Sequence, residues 1–60
     1  MTTPEQQDRI KAYGVKCRGL FDNGATFHMS EARAFATALK WLDFELCDKL
    51  MKTLTTRAKP

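Results

Sequence analysis

No apolar run in this chain approaches the ~20 residues that a bilayer-crossing helix needs. The first residues, Met1-Thr2-Thr3-Pro4-Glu5, lack the basic-then-apolar pattern of a secretory leader. A cytoplasmic setting is therefore expected, with thiols reduced. Cysteine is sparse: Cys17 and Cys47 make no C-x-x-C pair, and with His28 they lack metal-ligand spacing. No metal or cofactor is expected. Glycine numbers three, without the pattern of a phosphate-cradling loop. Between Pro4 and Pro60 there is no proline, so nothing of that kind interrupts a helix. Repeats and low-complexity segments are absent too.

The scarcity extends to catalytic groups. His28 is the sole histidine, set between Phe27 and Met29. Pairing it with Cys17 would give a nucleophile and a base but no third group to orient them. Asp43 and Glu45 fall on different faces of a helix, so they make no acid–base pair. An enzyme is not expected.

What remains is helix-forming material. Sixty residues make one domain, near the size at which a single core is marginal and oligomerisation often helps. Thr3-Pro4-Glu5-Gln6 is a helix start, with a capping threonine, proline at the first helical position and glutamine to close a capping box. Beyond it Ile10, Tyr13, Cys17, Leu20 and Phe21 share an arc of about 100°. Glu5 can meet Arg9 one turn on, and Asp8 can meet Lys11. Asp22-Asn23-Gly24 ends this helix with a left-handed cap, so the first helix is expected over residues 4–22. Gly14 lies at the edge of the apolar arc, where close approach of a second helix would account for it. An alternative ends the helix at Tyr13 and folds residues 15–29 into a β-hairpin about Asn23-Gly24, giving an α-β-β-α chain.

Residues 23–29 form the connection, with Phe27 and Met29 expected to fold back over the helix ends. Ser30 is a capping residue, and Glu31 suits the first turn of a second helix. From there to Leu54 there is no glycine or proline, which predicts one helix over residues 30–54. Phe35, Leu39, Leu42, Leu46, Leu50 and Leu54 fall in an arc of about 120°. Asp43 interrupts this arc and needs a partner there. Trp41 and Phe44 lie well off the arc, and Met51 off its edge. The tail, residues 55–60, carries no anchor and should fray.

The expected fold is thus all-α, an antiparallel hairpin of two long helices within a single domain, residues 1–60. In that register Cys17 faces Phe35, Tyr13 faces Leu39, and Pro4 faces about Asp48. Cys17 and Cys47 would then lie roughly 18 Å apart, unpaired. Leu50, Met51 and Leu54 would overhang the first helix. A two-fold dimer, closing two hairpins into a four-helix bundle, or a different bound protein would cover them.

Function is therefore expected in binding: a small self-associating module that regulates or inhibits another protein. In size and architecture it is comparable to phage- or plasmid-encoded modulators. The docking residues expected are Trp41, Phe44, Cys47, Met51 and Leu54, with Arg33 and Lys40 as rim charges. The competing reading starts from the formal net charge of +3. Arg9, Lys11, Lys16 and Arg18 would then contact nucleic acid phosphates, sequence-independently and with strong salt dependence.

Overall fold

A computed structural model of the chain describes residues 2–59, and these form three helices with no strand. Helix α1 spans Pro4–Asp22, α2 Met29–Lys40 and α3 Phe44–Arg57. The β-hairpin alternative is thereby excluded for residues 15–29, since α1 runs through both Gly14 and Gly19. Among the described residues no helix is long and apolar enough to cross a membrane.

The start of α1 follows from its sequence. Thr3 Oγ1 accepts from the Gln6 backbone N–H at 3.2 Å, and Gln6 Oε1 accepts from the Thr3 N–H at 2.9 Å. Its end is a Schellman turn: the Gly24 N–H donates to Phe21 O and the Ala25 N–H to Leu20 O. Gly24 takes φ +88°, a left-handed value that glycine adopts without penalty. Ala25 then drops into the core, fully buried.

The single long helix expected over residues 30–54 is two helices. A second Schellman turn ends α2, with the Asp43 N–H donating to Ala38 O at 2.8 Å and the Leu42 N–H to Leu39 O at 3.2 Å. Leu42 occupies the left-handed position, φ +58°, where glycine is usual. Asp43 is the cap of α3, its carboxylate accepting from the Leu46 N–H at 3.2 Å. That is why an acid sits in the apolar arc: it starts a helix rather than seeking a cationic partner. At the other end, α2 begins one residue before Ser30. Its cap position is His28, whose backbone N–H donates to Glu31 Oε1 at 2.8 Å.

The break turns α3 back along α2 and brings it between α2 and α1, packing on both. Tyr13 of α1 meets Phe44 and Asp48, and Cys17 meets Met51, so α1 and α3 run parallel. Aromatic rings join α1 to α2. Phe21 contacts Phe27, Phe27 contacts Phe35, and Phe35 contacts Tyr13, at centroid separations of 5.5–6.2 Å. The pairing of early α2 residues with late α1 residues makes these two helices antiparallel.

Each contact of the expected two-helix register changes accordingly. Asp48 lies beside Arg9 and Tyr13, not beside Pro4. Arg9 pairs with Asp48 at 3.1 Å rather than with Glu5. The expected fraying of the tail is replaced by docking through Lys59: α3 continues to Arg57, whose guanidinium holds the Glu31 carboxylate and Thr26 O, and the Lys59 N–H donates to Asn23 O at 3.0 Å. Pro60, the end of that expected tail, lies outside the described residues.

Candidate docking face

The core is small, and α3 supplies its centre. Leu54 and Cys47 are fully buried and Met51 nearly so, against Tyr13, Cys17, Ala25 and Ala38. Three of the expected docking residues, Cys47, Met51 and Leu54, are therefore spent inside this chain. The overhang that placed Met51 and Leu54 on a surface does not exist, because the turn at residues 41–43 folds α3 against α1. Phe44 is half-buried, with its ring 5.9 Å from Tyr13 and the Arg9 guanidinium 4.6 Å above it.

Both thiols are free, and Cys17 S–H donates to Met51 Sδ at 3.3 Å. The expected separation of the cysteines along the bundle is replaced by a shared core, with Met51 one helical turn from Cys47. Burial pushes both thiols up from their usual range. A buried protonated thiol is a small apolar group and a poor nucleophile. His28 is exposed at the start of α2. Among the described residues no group of three or more His, Cys, Asp or Glu is placed to hold a metal ion.

Two polar contacts tie the helices together at opposite ends. Near the α3 start, the Tyr13 hydroxyl donates to Asp48 and accepts from Arg9 Nε at 3.1 Å. Burial and the Asp48 bond push the Tyr13 hydroxyl up. Near the α3 end, Arg57 and the His28 backbone N–H hold the Glu31 carboxyl down at about 2. Arg9, expected on a nucleic-acid surface, and Arg57 are thus already engaged by carboxylates.

Among the described residues the exposed large apolar side chains are Trp41 at 73%, Met29 at 74%, Val15 at 70% and Phe21 at 44%. Trp41, from the expected docking set, stands at the end of α2 with Lys40 Nζ 5.9 Å from its ring centre. Met29, expected to fold over the helix ends, is instead open to solvent.

Placing residues at about 100° intervals shows where these side chains gather. On α1, counting from Tyr13, which faces α3, Ile10, Phe21 and Gly14 lie some 60–100° round toward α2. Arg18 and Lys11 follow at about 140–160°. On α2, counting from Phe35, which meets Tyr13, Leu39, Ala32, Ala36 and Met29 lie about 40–120° round, and Lys40 and Arg33 follow at about 140–160°. Because the two helices are antiparallel, these two rotations open onto the same side. The result is an apolar face between α1 and α2, with Arg18 and Lys11 along one rim and Arg33 and Lys40 along the other. All four cations are exposed, as are Gly14, Ala32 and Ala36. Lys16, grouped with Lys11 and Arg18 on sequence grounds, points the other way and lines the cleft between α1 and α3.

A Cβ at Gly14 would meet nothing within 4 Å. The close helix approach expected there is absent, and Gly14 is an open notch in this face. Sequence reasoning missed the face because a two-helix hairpin lays α1 directly on the Phe35–Leu39 stripe, whereas α3 packs against both helices and leaves the other side of the pair open. Asp43 within an apolar arc was the signal that could have found the break.

No family model matches this chain, and no curated protein or solved structure matches it either.

Proposed function

We propose that this chain is a small cytoplasmic protein-interaction module that regulates or inhibits another protein by docking through the α1–α2 face. Its surface carries the reading. The folded chain exposes 4707 Å². A compact monomer of 6.9 kDa exposes about 4,000 Å². The surplus of about 700 Å² is close to the ~800 Å² that one partner contributes to a standard interface. The shape agrees: the Cα extents are 36 × 21 × 14 Å, a slab, and the radius of gyration of 11.4 Å exceeds the ~10.4 Å of a compact chain this long.

Self-association belongs to the same proposal in a weaker form. Two copies meeting face to face would cover each other's apolar residues but set four cations against four. Dimerisation on this face therefore strengthens as salt screens the repulsion. A nucleic-acid complex held by Lys11, Arg18, Arg33 and Lys40 would weaken with salt instead.

The test is site-specific photocrosslinking in the native host, with the crosslinker at Met29 or at Phe21 and a control at Glu45. A single protein captured from both face positions and not from the control supports docking. No capture above the control refutes it. Light scattering across protein and salt concentration reads self-association, and anisotropy on duplex DNA and RNA reads the alternative.

A further inference from the structure

We infer that the occupant of the α1–α2 face is an amphipathic helix with acidic flanks, contributed by another protein. This rests on the docking reading above and adds the chemistry of the partner.

Three observations select that occupant. Cations predominate on both rims: Lys11 and Arg18 on α1, Arg33 and Lys40 on α2, with Asp8 and Asp22 lying beyond the α1 pair at about 180–220° on the outer side of that helix. None of the four takes part in an ion pair among the described residues. The two ion pairs among the described residues use Arg9 and Arg57, which lie on the α3 side. A second copy would bring like charges to both rims, whereas carboxylates flanking an apolar stripe would meet cations on each side.

Length is the second observation. Helix α2 has 12 residues, about 18 Å, so the face accommodates three turns of a partner helix. Anchors at i, i+3, i+4 and i+7 would lie along it, the recurring mode of helix-in-groove recognition.

The third is depth. Gly14 has empty space where its side chain would be, and Ala32 and Ala36 opposite are exposed and small. Small residues let helix axes approach toward the lower end of the usual 8–10 Å range. Phe35 and Phe27, half-buried beneath, would supply aromatic contact along the floor.

The probe is a fluorescent peptide of about 18 residues, long enough to populate a helix, with a Leu/Ala stripe flanked by glutamates. A matched peptide carries lysines in place of the glutamates, and a 20-base-pair DNA duplex serves as a polyanion control. The glutamate peptide should bind at least roughly tenfold more tightly than the lysine peptide, four rim pairs at about a factor of two each. Arg18→Glu with Arg33→Glu should cost it roughly tenfold. Gly14→Leu should abolish binding while leaving the thermal midpoint unchanged or higher, because the new side chain meets no neighbour in the folded chain. Equal affinity for the two peptides overturns the acidic occupant. Insensitivity to Gly14→Leu overturns the location. A duplex that binds while the glutamate peptide does not overturns the helical partner. If the glutamate peptide fails yet Met29 and Phe21 still crosslink one protein in the host, this inference falls and the docking reading stands.

Discussion

Replacing Gly14 and Gly19 together by alanine should stabilise this protein. Both lie inside one continuous helix, neither has positive φ, and a Cβ at either meets nothing within 4 Å. No packing gain or clash enters. The effect reduces to helix propensity, for which glycine is about 1 kcal/mol worse than alanine in a helix interior. Gly19 sits near the C-terminal turn, where the gain is nearer 0.5 kcal/mol, so the pair should add about 1.5 kcal/mol. For a domain of this length 1 kcal/mol moves the melting midpoint by roughly 4–8 °C, which gives a rise of about 6–12 °C. Thermal melts followed at the helical circular-dichroism band measure it, and urea midpoints give the free energy. Gly24→Ala is the counter-test: at φ +88° a side chain is strained, so stability should fall by about 1 kcal/mol. A double variant that melts at or below the parent temperature would show that α1 does not run unbroken through residues 14 and 19. The packing of α3 against it would then be wrong as well.

Leu54→Ala removes the largest fully buried side chain and should cost about 2–5 kcal/mol in urea unfolding. In so thin a core that is enough to leave a large unfolded fraction at 25 °C. Asp43→Ala deletes the cap of α3 and should cost about 1 kcal/mol by the same assay, whereas Asp43→Ser should restore most of it. Glu31 carries the pH dependence. Its folded value is depressed from 4.5 to about 2, so its stabilisation is present above the unfolded value and is lost as pH falls from about 5 toward 2. In Glu31→Gln the acid limb of a stability–pH profile should flatten over that window, and an unchanged limb would refute the role of the Arg57 pair.

Local chemistry made the first half of the fold legible and misled about the second. Thr3, Pro4 and Gln6 specify the start of α1 through bonds made within four residues, and Asn23-Gly24 specifies its end because the left-handed turn there falls on a glycine. The turn at residues 41–43 has the same hydrogen bonds but places leucine at the left-handed position, so the usual sign of a helix stop was missing. Continuous good propensity from Ser30 to Leu54 then reads as one helix, and every contact inferred from that register shifts with it. The docking residues suffered most. Cys47, Met51 and Leu54 are apolar in the way a binding face is, and also in the way a core is. The deciding fact is which side of the break they fall on, and long-range packing of α3 against α1 settles that. Trp41 stands in the turn itself and is exposed. The exposure of Arg33 and Lys40 is legible from the α2 pattern alone, since a helix face is set by spacing within the helix.

The left-handed leucine holds a corner that, if straightened, would offer a second way of closing the same core. Straightened, residues 30–54 would form a rod of about 38 Å, and Cys47, Met51 and Leu54 would leave their own α1. Two such chains could trade third helices, each α3 burying those residues against the neighbour's α1. The core contacts of the closed monomer and of the exchanged pair are then the same set, and they cancel in the comparison. What favours closure is the two Schellman bonds, the Asp43 cap and the entropy of remaining a single particle. What opposes it is one strained torsion at Leu42, about 1–2 kcal/mol. The balance between a closed monomer and such an exchanged pair would thus be set in the turn at residues 41–43, away from the centre of the core.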